Sequence, residues 1–242
     1  LKLDANSRIS LTNNDSGTSN TVFGSIAGDD LASGGNYNSF FGHNSGHAVT
    51  TGDYNCAFGL NSLDGATTGA LRVTAIGAAS IRGAVTADAI GAVGVGYGAL
   101  NGLTNGTNTT GVGYEAGYAI TVGDHNTVLG HSALRLEVGG QNSVAIGSAA
   151  LYTQDGGDSE TAMDNIGIGR NALYNNVTGK KNIAIGTSTG ATGTNNFVNG
   201  NNNVFIGDST TGSKAAPTNQ IVIGQGEVGY GDNTASIGGT IL

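Results

Sequence analysis

The sequence predicts an all-β protein, a parallel β-roll or β-solenoid of about thirteen turns. Thirteen short apolar segments each end in a glycine, and most of these glycines lie 17 or 18 residues apart. Bulky and β-branched residues alternate along each segment, which indicates strands. Glycine supplies 44 of the 242 residues, which disfavours helix. The repeat glycines are Gly24, Gly42, Gly59, Gly77, Gly96, Gly113, Gly130, Gly147, Gly169, Gly186, Gly207, Gly224 and Gly238.

Each repeat is predicted to begin with a turn, because seven copies carry a Gly-x-x-Asn motif before the strand. Glycine adopts positive φ easily and asparagine bonds its own backbone. A strand of roughly five residues, a glycine corner and a second short stretch such as Ser132-Ala133-Leu134 follow. One such unit cannot bury its own apolar side chains, whereas stacked units can. The motifs are Gly17/Asn20, Gly35/Asn38, Gly52/Asn55, Gly123/Asn126, Gly139/Asn142, Gly179/Asn182 and Gly200/Asn203.

The two faces of the predicted strands differ in residue size. We expect the bulky or β-branched residues, and Cys56 among them, to face the interior. The residue between them is uncharged and in most turns small, and we expect it to face outward and pack against another copy of the chain. Phe40 and Phe205 depart from this pattern and predict local bulges or wider spacing. A single roll this thin would also bury too little to be stable alone.

The domain prediction is a polar lead-in over residues 1–19 and one repeat domain over residues 20–242. Ile9 and Leu11 alternate like a strand that could cap the first turn. Because the chain begins at Leu1, we expect it to be part of a longer protein. The net charge of −8, with only nine basic residues, argues against nucleic-acid binding. No apolar run approaches the ~18 residues that cross a bilayer, so we expect no membrane insertion.

Candidate ligand sites lie mainly where the repeat is interrupted. The 22-residue step after Gly147 contains four acidic residues whose oxygens could bind Ca2+, although the spacing is not that of an EF-hand and a solvated loop is the alternative. No other cofactor is expected. These calcium candidates are Asp155, Asp158, Glu160 and Asp164.

Three segments match a dinucleotide fingerprint, G-x-G-x-x-A, beginning at Gly94, Gly111 and Gly167. We interpret them as repeat corners, because the fingerprint requires a following helix. Of the four histidines, at positions 43, 47, 125 and 131, His43 and His131 share the position after a corner glycine but lie five turns apart, which is too far to share a metal within one chain.

Tyrosines near the corners are candidate contacts for a glycan receptor, since aromatic rings stack on sugar rings. Packing between rings of adjacent turns is the alternative explanation. The candidates are Tyr97, Tyr114, Tyr118, Tyr152 and Tyr174.

The repeats at residues 125–134, 142–151, 165–173 and 182–190 resemble the glycine-rich shafts of bacteriophage tail fibres and the head repeats of trimeric autotransporter adhesins. The resemblance covers about nine tenths of the chain. It implies a homotrimeric fibre that binds a host-cell receptor, expected to be a glycan. The polar segment at residues 4–17 favours a tail fibre of a virion over an adhesin on a bacterial surface. Only the last step, Gly224 to Gly238, has the adhesin-like length of 14 residues.

We expect a structural and attachment role without catalysis, because no set of residues shows the supporting geometry of an active site. A fibre-borne glycan hydrolase is one alternative. An ice-binding solenoid is another, but it requires an unbroken row of threonines, and here Ser39, Cys56 and Val93 interrupt it.

Overall fold

The protein is an all-β solenoid with turns of about 17 residues, as predicted. A computed structural model describes residues 9–10, 17–65, 69–86, 90–157, 161–191 and 198–238. Within these ranges no helix is present, and each of the thirteen predicted glycines directly follows a three-residue strand. Thirteen such strands correspond to about twelve turns.

Contacts divide the chain into two units, residues 1–122 and 123–242. In the first unit, β1 runs antiparallel to β2, and β2 to β7 pair in parallel in chain order. The strands of this unit are β1 (Ile9–Ser10), β2 (Thr21–Phe23), β3 (Ser39–Phe41), β4 (Cys56–Phe58), β5 (Thr74–Ile76), β6 (Val93–Val95) and β7 (Thr110–Val112).

The second unit contains a parallel sheet in the order β8, β10, β12, β13, β14, β15 and β16. Two shorter strands, β9 and β11, pair with each other in parallel. The strands are β8 (Thr127–Leu129), β9 (Gly140–Gln141), β10 (Val144–Ile146), β11 (Thr161–Ala162), β12 (Ile166–Ile168), β13 (Ile183–Ile185), β14 (Val204–Ile206), β15 (Ile221–Ile223) and β16 (Ala235–Ile237).

The prediction of which strand face is inside was wrong. The middle residue of each three-residue strand is buried, whereas its two neighbours are half-buried or exposed. The interior is too narrow for large side chains on most strands: a Cβ added at Gly94 would lie 2.8 Å from Cγ1 of Ile81, and one at Gly111 2.8 Å from Cγ of Leu100. The small residues therefore fill the core, and the bulky ones form the outside of the sheet.

A second wall of the core comes from the turn after each glycine corner. Six turns place a large, fully buried side chain there: Leu63, Ile81, Leu100, Leu134, Leu151 and Leu173. The buried Phe40 instead lies beside glycines: a Cβ at Gly46 would lie 2.6 Å from its ring. Since β3 and β14 keep a regular register with both neighbours, Phe40 and Phe205 mark no bulge, contrary to the prediction.

The stretch after each corner is a stack of turns and not a second strand. Ser132 and Leu134 both have positive φ, of 53° and 46°. Adjacent turns still pair here, because the amide of Leu134 donates to the carbonyl of Ala150 at 2.9 Å. Each turn thus contributes one strand of three residues to the larger parallel sheet of its unit, shorter than the five predicted.

A ladder of buried asparagines connects the turns, where the sequence predicted asparagines bonded to their own backbone. Nδ2 of Asn38 donates to the carbonyl of Gly52 (2.7 Å), and its Oδ1 accepts from the amide of Asn55 (2.9 Å). Asn142 does not belong to this ladder: it has a φ of 60°, and Ser143 takes the buried position. The members are Asn20, Asn38 and Asn55 in the first unit, and Asn126, Asn165, Asn182 and Asn203 in the second.

Candidate functional site on the outer strand face

The outer face consists of the first and third residues of the three-residue strands. In the second unit, both positions are valine or isoleucine in the five strands β10, β12, β13, β14 and β15. All are half-buried or exposed, and Ile185 retains 40% of its accessible surface. The residues are Val144, Ile146, Ile166, Ile168, Ile183, Ile185, Val204, Ile206, Ile221 and Ile223.

The outer face of the first unit combines a bulky column with a more polar one. At the third strand position Phe23, Phe41 and Phe58 stack in sequence, with ring centroids 6.1 and 5.6 Å apart. The first position holds threonine in three of the six strands β2 to β7. Cys56 lies in this outer column and is half-buried, so the prediction that it faces the core was wrong.

An outer face of this kind can bind another apolar surface. Parallel strands are normally covered on both faces, and their sequences are then apolar on both. A contiguous exposed apolar surface marks an interaction site in soluble proteins. The outer face carries no acid, base or metal ligand other than the Cys56 thiol, so its available chemistry is burial of apolar surface.

Four of the predicted tyrosines form two stacked pairs. The rings of Tyr97 and Tyr114 are 5.2 Å apart at 15°, and those of Tyr152 and Tyr174 are 5.0 Å apart at 8°. Tyr118 lies against Gly98, where an added Cβ would be 3.4 Å from its ring. The rings thus make the ladder contacts that were the alternative to a glycan site, and their role as glycan contacts stays a prediction.

A third tyrosine pair was missed by the sequence reasoning. Tyr37 and Tyr54 stack at 4.9 Å and 7°, and the guanidinium carbon of Arg72 lies 5.9 Å from the centroid of Tyr54. Both tyrosines directly precede a buried asparagine of the ladder. That shared position in the Gly-x-x-Asn motif is the sequence signal that could have identified the pair.

The acidic candidates for calcium are described only in part. Asp155 accepts a hydrogen bond from the amide of Gly157 at 2.9 Å, and Asp164 has a φ of 52°. Asp158 and Glu160 lie outside the described residues. Over the described ranges, no three His, Cys, Asp or Glu side chains are grouped closely enough to hold a metal ion. The calcium site stays a prediction.

A buried carboxylate organises the start of the 22-residue step, and nothing in the sequence pattern indicated it. Glu137 is fully buried, and its Oε1 accepts from the amides of Val138, Gly140 and Gly156 at 2.6 to 3.0 Å. Its Oε2 accepts from Nε2 of Gln154 at 2.8 Å. These donors satisfy the charge, so the group has a structural role.

His47 and several other titratable groups form surface contacts. Nδ1 of His47 is 3.5 Å from Asp64, whose other oxygen is 3.9 Å from Nε of Arg82. Hydrogen bonds from the Lys214 ammonium and the Thr218 amide lower the pKa of Asp232. In the dinucleotide-like segments the first glycine is a buried strand residue and the second is the corner, so they form part of the repeat.

No protein-family model and no curated protein sequence matches this chain. In the part of the chain that the structure describes, no helix is long and apolar enough to cross a membrane. The outer face and the tyrosine pairs are therefore the features from which function can be inferred.

Proposed function

We propose that this chain is a structural and attachment segment of a homotrimeric fibre, a bacteriophage tail-fibre shaft of the virion. Its role is mechanical, without catalysis, and the assembled fibre binds a host-cell glycan receptor. The observation that supports assembly most directly is the outer face of the second unit, where ten valine and isoleucine side chains remain accessible over five neighbouring strands of the sheet.

Covering this face would stabilise an assembly substantially. Burying the remaining surface of a side chain such as Ile185 contributes about 1 kcal/mol. Each strand contributes a similar free energy, so a partner that packs against several strands is stabilised by the sum of these contributions. A partner that covers only one or two strands gains little.

A second copy of the same chain is the partner that matches best. Its strands have the same spacing of about 4.8 Å, so valine and isoleucine columns on two copies can pack in register along the sheet. Closed rotational symmetry lets the same face of each copy meet around one axis. The resemblance of the repeats to fibre shafts supports three copies over two.

Mass measurement of the native particle tests this proposal. With a chain mass of 23.9 kDa, a trimer has about 72 kDa, which is three times that value. Ile185→Lys, which places a charge in the outer face, should yield single chains. Asn202→Lys is the matched control, because it adds the same charge at the exposed repeat position that Lys181 occupies one turn earlier, and it should leave the trimer intact.

Two outcomes would count against the proposal. A wild-type mass of one chain contradicts the homotrimer. A trimer that persists in Ile185→Lys and in Ile206→Lys contradicts the outer face as the interface.

A further inference from the structure

We infer that Lys180, Lys181, Asn201 and Asn202 form a binding site for an oxyanion of an acidic oligosaccharide, a carboxylate or a sulfate group. The inference rests on the attachment part of the proposed function, and it specifies the class of receptor glycan and the place where the glycan binds. It does not depend on trimer formation, because all four residues belong to one chain.

The four residues line an open pocket of about 320 Å³ on the second unit. Lys180 and Lys181 lie just before β13, and Asn201 and Asn202 lie at the same repeat positions one turn later, before β14. Hydrogen bonds hold the two segments together. The amide of Lys180 donates to Oδ1 of Asn201 at 2.8 Å, and the amide of Asn202 donates to the carbonyl of Lys180 at 3.0 Å. The side chains of the pocket therefore start from a fixed base.

The pocket offers more hydrogen-bond donors than acceptors. Each lysine ammonium has three donors and no acceptor. Asn201 uses its Oδ1 atom to accept from the backbone, which leaves the Nδ2 group of the same side chain to donate. An ionised carboxylate or sulfate only accepts hydrogen bonds, and bonds to an ionised partner are about twice as strong as bonds between neutral groups. An oxyanion therefore matches the polar groups of this pocket better than a neutral or cationic group does.

The two ammonium groups lack a paired counter-charge in the described part of the chain. No Asp or Glu oxygen there lies within 4.0 Å of either one, whereas Nζ of Lys214 lies 2.7 Å from Oδ2 of Asp232. Asp164 occupies the repeat position of Lys181 one turn earlier, because the amide of Lys181 donates to the carbonyl of Met163 at 2.8 Å. Two positive charges thus face one negative charge, and the pocket stays positive in a chain whose net charge is −8.

This pair of charges distinguishes one turn from all the others. In every other turn, the repeat positions of Lys180 and Lys181 hold at most one basic residue. The left-handed backbone at the second position does not require lysine, because Asn202 has the same φ of 58° as Lys181. Asn201 and Asn202 fill both positions in the next turn, so folding does not explain two lysines here. Binding of an anion does.

An acidic sugar fits this pocket better than other anions. The volume of about 320 Å³ lies in the range of small-ligand pockets, about 300–1,000 Å³, so the pocket is larger than a bare phosphate or sulfate ion needs. The uncharged side-chain amides of Asn201 and Asn202 suit the hydroxyl groups of a sugar ring. Nucleic acid is disfavoured, because several basic residues are needed to neutralise its backbone and this pocket has two.

Titration of variants that should fold normally tests the inference. Lys180→Asn and Lys181→Asn introduce the residues of the next turn, so their thermal unfolding midpoints should equal that of the wild type. Arg170→Gln is the matched control, because it removes one positive charge from an exposed position of the same unit. The probes are hexagalacturonate, a chondroitin sulfate hexasaccharide, neutral cellohexaose, hexaglutamate and inorganic phosphate, titrated by calorimetry at low salt.

The wild type should bind hexagalacturonate or the chondroitin sulfate hexasaccharide more tightly than it binds the other three probes. Each lysine variant should weaken that binding about tenfold, because it removes a hydrogen bond between charged groups. The double variant should weaken it further, and Arg170→Gln should bind like the wild type.

The inference is overturned if neither acidic hexasaccharide binds the wild type, or if the double variant binds like the wild type. Tighter binding of hexaglutamate would assign the pocket to an acidic peptide, and tighter binding of phosphate would assign it to a free ion; either result overturns the inference. Asp164→Asn should bind at least as tightly as the wild type, because it removes a negative charge near the lysines. Weaker binding by Asp164→Asn would show that this carboxylate holds the ligand, and would contradict the lysine pocket.

Two results separate this inference from the fibre proposal. Single chains of Ile185→Lys should bind the acidic probe, and adding Lys181→Asn to that variant should weaken the binding about tenfold. A native trimer that binds cellohexaose but neither acidic hexasaccharide overturns the acidic site and leaves a glycan-binding fibre in place.

Discussion

At the residue scale, the interior of each turn accepts only certain combinations of side chains. Gly111 faces Leu100 across the core, and Gly167 faces Leu151, with built Cβ distances of 2.8 and 3.0 Å to the leucine side chains. Interiors are packed densely, so a core this narrow has no free volume for another methyl group. A small residue on the strand is therefore the consequence of a large residue on the opposite wall.

We expect Gly111→Val to destabilise the protein by about 1–3 kcal/mol, because the added side chain overpacks against Leu100. Thr110→Val is the control, since it is isosteric, adjacent in sequence and on the outer face, and its effect should stay within about 0.5 kcal/mol. Urea unfolding monitored by circular dichroism measures both. Equal stability of the two variants would contradict a tightly filled interior.

At the scale of a single turn, strand and corner segment compensate each other in size. Phe40 occupies the interior beside Gly28 and Gly46, whereas five other turns place a small residue on the strand and leucine or isoleucine on the opposite wall. Leu63 and Leu100, which correspond to Gly46, have φ values of 51° and 50°. Leucine is thus compatible with this backbone wherever the strand leaves room for it.

This compensation can be measured with a double-mutant cycle. Phe40→Ala should cost about 3–5 kcal/mol because it leaves a cavity, and Gly46→Leu alone should be destabilising because the new Cβ would lie 2.6 Å from the Phe40 ring. The double variant should be more stable than the sum of the two changes predicts, by about 1–3 kcal/mol. Additive free energies of unfolding would show that the two walls do not pack against each other.

At the scale of the whole molecule, most strands expose their bulky residues and bury a small one, with Phe40 and Phe205 as exceptions. Phe58 is 56% exposed and Leu129 47%, whereas Ala57 and Val128 are fully buried. A single copy therefore leaves apolar surface exposed to water, and burying that surface would stabilise the protein further. Under the proposed function, assembly through the outer face supplies this burial.

The stability of the protein should consequently depend on its concentration. Over a range of about a hundredfold, the unfolding midpoint of the wild type should rise with concentration, because assembly stabilises only the folded state. The Ile185→Lys variant should show a lower midpoint that does not change with concentration. Differential scanning calorimetry at several concentrations checks both. A wild-type midpoint independent of concentration would be the contrary result.

Much of the local structure was predictable, because it depends on residues close together in the chain. Gly42 and Gly113 were predicted as corners and have φ values of 129° and 134°. The positions of the strands followed from the same repeat. The length of the strands was not predictable from the sequence. The turns after each corner also form hydrogen bonds with the adjacent turns, and their apolar residues have a sequence pattern like that of strand residues.

The sequence by itself determined the solenoid and its period, since a regularly spaced glycine corner after each apolar segment permits little else. Only the tertiary structure decided which strand face is inside. The alternation of residues along a strand assigns them to two faces, but it does not show which face is buried when both are apolar, as in Ile183-Ala184-Ile185. Orientation follows from the distance between the walls of one turn, which is set by residues such as Ile81 and Leu100 on the opposite side. On most strands a small residue lies inside because only a small residue fits there, and that leaves the bulky outer face accessible to partners.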